Sequence, residues 1–410
     1  MSLLSDPNAF RGLRVAVFGF DLAEASQVRR IRSLLSLGCD VTSFCPRREG
    51  STPGFTPEWR NFDLGLVRQG AYLRRGLALP MTVAKALRGR KWLRQADVII
   101  ARNLDMAAVA HLARRMAGVS REIPLVYECL DVHPLLTRGD SLGRLMRWSE
   151  RRVLARAAQL VVSSRGFTES YFRPVQGYDG PAALVENKLW LDDIAPGGRL
   201  EADDVASPAG PLVLGLVGAI RCQRSVNLLL ETVDRMGRGL KLRFAGHLDE
   251  HAVRDFPQQV AARSNVDWTG AYACPEDLGS IYRDCDLVWG QDMWQPGGNS
   301  DWLLPSRLYE AGWNGCPVIA VEGSETARRV DSDRLGYVIA RPDSATLAGL
   351  LGSINRDDLT VLKRDLLTRP AESFVQKAED LMPFLTPALR RANRAVPRMG
   401  QQLAKASARS

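Results

Sequence analysis

Pro305-Ser306-Arg307-Leu308-Tyr309-Glu310-Ala311-Gly312-Trp313-Asn314-Gly315-Cys316-Pro317-Val318-Ile319 is the stretch on which the reading of this chain turns. Pro and a small polar residue open a helix, Glu310 sits one turn in, Gly315 stops the helix, and Pro317 leads an apolar strand. The first amides, of Ser306, Arg307 and Leu308, together with the helix dipole, can hold phosphates. The Glu310 carboxylate can bind ribose hydroxyls. Helix and strand together have the layout of a nucleoside-diphosphate site.

Working outward, the second half of the chain repeats this alternation. Apolar runs at 212–218, 241–246, 265–269, 286–290, 317–321 and 337–339 are separated by helical stretches. The first half does the same: 13–20 reads as a buried strand, 24–37 as a helix closed by Gly38, and 40–44 as the next strand. Further strands are expected at 97–101, 124–129, 159–163 and 182–186. Near-continuous apolar strands with helices between them imply parallel sheets covered on both faces. Between 194 and 211 Gly, Pro, Ala and Asp dominate without periodicity, as in a linker. A chain of 410 residues is too long for one ordinary core. The expected fold class is therefore α/β, with two doubly wound Rossmann-like domains, residues 1–195 and 211–370, facing a central cleft at the carboxyl ends of their strands. A segment at 371–389 forms a last helix, and the region 371–410 ends in a basic tail.

The formal charge is +9, from 55 Lys and Arg against 46 Asp and Glu, which points to an anionic partner without choosing among nucleotide, nucleic acid and lipid headgroup. The seven cysteines show no CxxC spacing and sit mostly in apolar runs, as reduced structural thiols do in the cytosol. The N-terminus lacks an apolar h-region and the longest apolar run, 212–220, is too short to span a bilayer. The expectation is a soluble chain, or one attached to a membrane from one side.

Gly218-Ala219-Ile220-Arg221-Cys222-Gln223-Arg224-Ser225 follows the first strand of the second domain. Arg221 and Arg224, three apart at a strand-to-helix turn, can flank a diphosphate. Alone this reads as a solvated basic turn; beside the 305–310 helix it reads as part of the same site. The pattern P-x-[KR]-x-x-E-x-x-x-x-G-x-P-V-I at 305–319 resembles the donor-site helix of GT-B glycosyltransferases of the family-4-like class, and most closely the ExoL-type enzymes of succinoglycan-type exopolysaccharide biosynthesis. The 218–225 segment is similar to their G-R-x-x-x-K-G motif, with Ala219 where Arg is usual and Arg224 in place of Lys. In those enzymes a Glu often stands eight positions before the ribose-binding Glu; here Trp302 occupies it. Asn299 or Ser300, in the glycine-rich stretch 295–302, can take over contact with the donor sugar. Trp289, Trp294, Trp302 and Trp313 read as core or cleft wall, with stacking on sugar or base as the functional alternative. The resemblance also implies that the final helix crosses back onto the first domain, through Phe374, Leu381, Phe384 and Leu385; the sequence equally allows a helix packed on its own domain.

In the first domain, Val126-Tyr127-Glu128-Cys129-Leu130-Asp131-Val132-His133-Pro134 leaves a strand and enters a loop. Asp131 and His133, two apart beyond a strand's carboxyl end, suit a general base or a sugar-positioning pair, and the stretch resembles the acceptor-side loop of exopolysaccharide glycosyltransferases. The structural alternative is an Asp that caps the next helix and a His packed on the surface. Phe18 to Ser26 forms the first strand-to-helix turn and lacks G-x-G-x-x-G, so dinucleotide binding is not expected there; Asp21 and Glu24 read as helix caps. His247 and His251 lack the H-E-x-x-H pattern and read as a solvated helix face. Asp284-Cys285-Asp286 and Asp331-Ser332-Asp333 match D-x-D by spacing alone, so no metal is expected.

With the resemblance, these features imply a hexosyltransferase using a nucleotide-diphosphate sugar, with UDP the preferred nucleotide, as co-substrate and no separate cofactor. The acceptor is expected to be a lipid-linked saccharide, at an anionic inner membrane surface, with no nucleic acid partner. The rival readings are a non-catalytic nucleotide-binding regulatory or scaffold protein on the same fold, and a nucleotide-sugar epimerase. Membrane contact is expected through 68–94, which carries Arg68, Arg74, Arg75, Lys85, Arg88, Arg90, Lys91 and Arg94 without an acidic residue and interleaves them with apolar ones; because Arg90 and Lys91 interrupt the face set by Val83 and Leu87, an ordinary solvated helix is the alternative.

Overall fold

In the computed structural model every strand pairs in parallel, in two separate sheets. The structure describes residues 10–48, 55–67, 72–190, 199–205, 210–274 and 276–391, without the side chains of 72–78. Arg68, Arg74, Arg75, much of the 194–211 linker and the tail beyond 391 lie outside that description.

The first sheet has seven strands: β1 (Arg14–Phe18), β2 (Asp40–Arg48), β3 (Arg60–Val67), β4 (Val98–Arg102), β5 (Leu125–Cys129), β6 (Gln159–Val162) and β7 (Ala182–Leu184). Their order, β3-β2-β1-β4-β5-β6-β7, reverses direction between β1 and β4, which opens a crevice beyond the carboxyl ends of those two strands. Phe18 stacks on Phe44 and Phe44 on Phe62, with centroids 4.6 and 5.2 Å apart, tying β1, β2 and β3 together. The sequence reading missed β3: Arg60, Asn61 and Asp63 interrupt its apolar run because it lies at the sheet edge. Glu24 caps the Ala25–Ser36 helix by accepting from the amides of Ser26 and Gln27, and Asp21 accepts from Ala23, so both act as local caps.

The second sheet comprises β8 (Leu212–Val217), β9 (Leu240–Ala245), β10 (Val266–Trp268), β11 (Leu287–Trp289), β12 (Val318–Val321) and β13 (Gly336–Ile339), in the order β10-β9-β8-β11-β12-β13. Here the order reverses between β8 and β11. Two apolar clusters cover its faces: one contains Leu214, Leu216, Leu229, Phe244 and Trp289, the other Val217, Tyr282, Val288, Leu308 and Val318. His247 and His251 lie in exposed turns and not on a helix, contrary to the sequence expectation.

The chain divides into two units whose boundaries differ from those expected. The first holds Met1–Ser163, Phe172–Val185 and Lys377–Ser410; the second holds Ser164–Tyr171 and Glu186–Gln376. The division thus falls at Val185, ahead of the 194–211 stretch. Within the first unit the Met382–Arg391 helix packs on β4 and β6, burying Phe384 and Leu385, and the Arg30 guanidinium lies 4.6 Å from the Phe384 ring. Phe374 instead packs in the second unit. Among the described residues no helix is long and apolar enough to cross a membrane.

Candidate functional site

In the second unit the expected donor residues gather where the strand order reverses. After β8, Gly218 turns at φ 109°. The turns after β8 and β9 touch backbone to backbone: Gly218 N–H donates to Ala245 O, and a Cβ on Gly246 would lie 1.8 Å from Gly218 O, so only glycine fits there. Arg221 leaves this turn and pairs with Asp292 at 3.2 Å, while its guanidinium lies 5.2 Å from the Trp294 ring. Arg307 reaches back from its helix to the Trp289 carbonyl at 3.4 Å, and its Nη2 lies 3.4 Å from where a Cβ on Gly218 would stand. Glu310, 7% exposed, accepts from the Tyr282 hydroxyl at 3.1 Å. Burial, reinforced by Glu310, pushes the Tyr282 phenol well above its ordinary pKa and keeps it a donor.

Asp292 organises this cluster, and the sequence reading missed it. Its carboxylate accepts from the Ser300 hydroxyl at 2.7 Å and the Trp294 amide at 2.8 Å besides pairing with Arg221. Burial pushes its pKa up, but Arg221, Ser300, the Trp294 amide and Arg307 outweigh burial and hold the carboxyl below its usual range. The only sequence signal was its place three residues past the end of a buried strand.

Several expected contacts fall elsewhere. Ser300 is buried and its oxygen also accepts from the Gln295 amide at 2.7 Å, so the hydroxyl orients Asp292 and not a sugar. Asn299 is buried at the first position of the short Asn299–Trp302 helix. The Leu308 amide closes a turn on Pro305 O at 3.1 Å, which leaves Ser306 and Arg307 as the residues ahead of the first such bond. Ser306 is the N-cap, and its side chain makes no capping bond. Arg224 is exposed on the first turn of the Gln223–Met236 helix. Trp302 occupies its position for a packing reason: its ring stacks near Tyr171, with centroids 6.1 Å apart, and its carbonyl accepts from Ser164 at 2.5 Å. Of the other tryptophans, Trp289 is core, Trp313 lies under Arg199 at 4.5 Å, and Trp294 is exposed beside Arg221.

In the first unit Asp131 is exposed just past β5, whose last residue is Cys129. His133, and not Asp131, caps the Pro134–Thr137 helix: its Nδ1 accepts from the Leu135 amide at 3.2 Å. An imidazole that accepts at Nδ1 carries its proton on Nε2, and here Nε2 is buried. The Leu130 amide is held by Asn103 Oδ1 at 3.1 Å, and Asn103 adopts φ 64° immediately after β4.

Beneath this loop lies a buried ionic cluster that patterning could not reveal. Arg102, fully buried, donates to Glu128 at 2.9 Å and to Gln27 at 2.8 Å, while Arg30 pairs with the other Glu128 oxygen at 3.1 Å. Glu128 was visible in sequence, but within an apolar strand it gave no hint of two guanidinium partners distant in sequence.

Among the described residues no group of three or more His, Cys, Asp or Glu could hold a metal ion. Three of the four D-x-D carboxylates are ion-paired: Asp284 with Arg243, Asp286 with Lys363, and Asp333 with Arg329.

Two Rossmann-like parallel sheets, each reversing its strand order once, define the class of fold, and comparison with known proteins agrees. Residues 24–187 match the model of the Glycosyl transferase 4-like domain. The chain is 35% identical over 343 residues to the succinoglycan biosynthesis protein ExoL of Rhizobium meliloti (strain 1021), covering 83% of this chain and 85% of that protein. Among solved structures it is similar to sucrose-phosphate synthase of Thermosynechococcus elongatus (TM-score 0.67, 16% identity, 97% and 100% of the two chains). It is also similar to HepE of Anabaena in complex with UDP and glucose (0.62, 14%, 93% and 98%) and to WaaG, a glycosyltransferase involved in lipopolysaccharide biosynthesis (0.61, 15%, 92% and 99%). The chain belongs to the ExoL-like, family-4 glycosyltransferases of GT-B fold.

Proposed function

We propose that this glycosyltransferase moves a hexose from a UDP-sugar to a lipid-linked saccharide in bacterial exopolysaccharide assembly. The observation that carries the proposal is the cluster of Gly218, Arg221, Arg307 and buried Glu310 around the ends of β8 and β11. Glu310 anchors the ribose. Arg221, Arg224 and Arg307 with the first amides of its helix offset the charge that develops on the departing diphosphate, in the role a metal ion has elsewhere. Asp131 takes the acceptor proton or orients the hydroxyl, and His133 positions the saccharide. The relatives support the reading: one is named for succinoglycan biosynthesis and another was solved with UDP and glucose.

Attachment to the inner membrane face is proposed through Arg88, Arg90, Lys91 and Arg94, all exposed. The apolar residues of the same segment are largely spent on the core: Val83 and Leu93 are buried and Trp92 packs on Phe62 at 5.1 Å. The test is release of UDP from a panel of UDP-hexoses by purified protein. Release that requires membrane extract from a polysaccharide-producing strain, with the sugar recovered in a lipid fraction, supports the function; conversion of the donor without any acceptor overturns it.

A further inference from the structure

The Ser141–Leu154 helix of the first unit presents an outer face that combines exposed apolar and basic side chains. Leu145 is 56% exposed and Trp148 is 50% exposed, three residues apart and so on the same side. Around them stand Arg144, Arg151 and Arg152, with Arg156 just beyond the helix end, all exposed. The helix contains one acidic residue, Glu150, and it points inward, accepting from the Tyr127 hydroxyl at 2.7 Å.

None of the four arginines is ion-paired among the described residues. Three of them donate to neutral carbonyls: Arg144 to Gly139 at 3.3 Å, Arg151 to Gln176 and Val175 at 3.3 and 3.0 Å, and Arg156 to Arg152 at 2.9 Å. Arg152 instead lies 4.3 Å from the Trp148 ring. Positive charge is therefore held at the surface without an ion-pair partner among the described residues, around two side chains that stay about half exposed. Charge of this kind complements an anionic surface. The central Leu and Trp select a lipid surface over a nucleic acid, because a polyanion offers nothing for Leu145 to enter, whereas an interfacial Trp and cationic rim match the boundary between headgroups and acyl chains.

The face also adjoins the acceptor loop. Arg147, on the same helix, donates to Leu136 O at 2.8 Å and to Arg138 O at 2.6 Å, fixing the Pro134–Thr137 helix that His133 caps.

We propose that Leu145 and Trp148, ringed by Arg144, Arg151, Arg152 and Arg156, form the surface that docks this enzyme onto anionic phospholipid and brings lipid-borne acceptor to the loop of Asp131 and His133. This inference rests on the peripheral-membrane reading above and adds the Ser141–Leu154 helix to Arg88, Arg90, Lys91 and Arg94 as a second element of attachment.

The test is sedimentation of the full chain with vesicles of phosphatidylcholine alone or mixed with phosphatidylglycerol. Three proteins are compared: wild type, Leu145→Ser/Trp148→Ser, and Arg144→Gln/Arg151→Gln/Arg152→Gln. Circular dichroism and the urea transition of the first unit report that the fold is intact in each variant. The expected result is wild-type binding to the mixed vesicles only, weakened about tenfold or more in each variant. Wild-type binding that survives the Leu145/Trp148 change at full strength overturns the docking face and leaves membrane attachment standing. No wild-type binding to either vesicle removes both. Binding of single-stranded RNA that depends on the arginines but not on Leu145 and Trp148, without vesicle binding, reassigns the face to a polyanion and overturns the proposal.

Discussion

Replacing Glu310 with alanine tests the donor site at its most buried charge. From sequence, Glu310 could form two charge-assisted hydrogen bonds to ribose. The structure halves that allowance, because the Tyr282 hydroxyl already donates to one carboxylate oxygen at 3.1 Å. One such bond is worth about 1.5–3 kcal/mol, so the UDP dissociation constant should rise about ten- to 150-fold. The substitution also leaves the buried Tyr282 hydroxyl without its acceptor, at a stability cost of about 1–3 kcal/mol. Glu310→Gln separates the two effects, since the amide oxygen can still accept from Tyr282 while the charge is gone. Isothermal titration with UDP is the assay, with circular dichroism confirming that each variant is folded at the titration temperature. A folded Glu310→Ala protein that binds UDP as tightly as wild type would refute the ribose role and with it the orientation assigned to the nucleotide.

Arg221→Ala and Arg224→Ala should each weaken UDP binding far more than uridine binding, since only the diphosphate offers them a charge partner; equal losses by titration would mark the defect as structural. Asp131→Asn should lower turnover by about 10²-fold or more with donor affinity unchanged, and His133→Ala should lower it less, as measured by acceptor-dependent UDP release. Asp292, held below its usual pKa in the folded state, contributes stability that is full above its unfolded pKa and disappears as pH falls through the lower folded value. Asp292→Asn should therefore lower the urea midpoint at pH 7, with the deficit shrinking as pH falls from the unfolded carboxylate pKa towards the lower folded one; a deficit that does not change with pH would mean packing and not charge is lost. Glu128→Ala strands Arg30 and Arg102 in a dry interior and should destabilise the first unit by about 3–5 kcal/mol, read from its urea transition.

The sheets were legible because their central strands are buried on both faces and so appear as unbroken apolar runs. Where one face meets solvent the signal failed, as at β3, where Arg60, Asn61 and Asp63 alternate with apolar residues. In the donor cluster, Glu310, Arg221 and Gly218 were readable because each sits at a fixed offset from a strand end or helix start. Asp292 was not, because its importance lies in partners from three segments, Arg221, Trp294 and Ser300. Ser300 was misread for the converse reason: a hydroxyl in a glycine-rich turn looks available, and only coordinates show it holding Asp292. The cap formed by His133 was equally hidden, since the residue type that usually caps is Asp and one stood two positions earlier.

The packing of the Met382–Arg391 helix on β4 and β6 makes the first unit discontinuous in sequence, with the whole of Glu186–Gln376 made before its last piece. During synthesis the second unit can complete its core while the first still lacks the side chains that cover Arg30. A ribosome-bound chain should accordingly acquire protease resistance in its later-made unit first. Premature stops near residue 377 should injure the earliest-made unit and spare the one translated just before them.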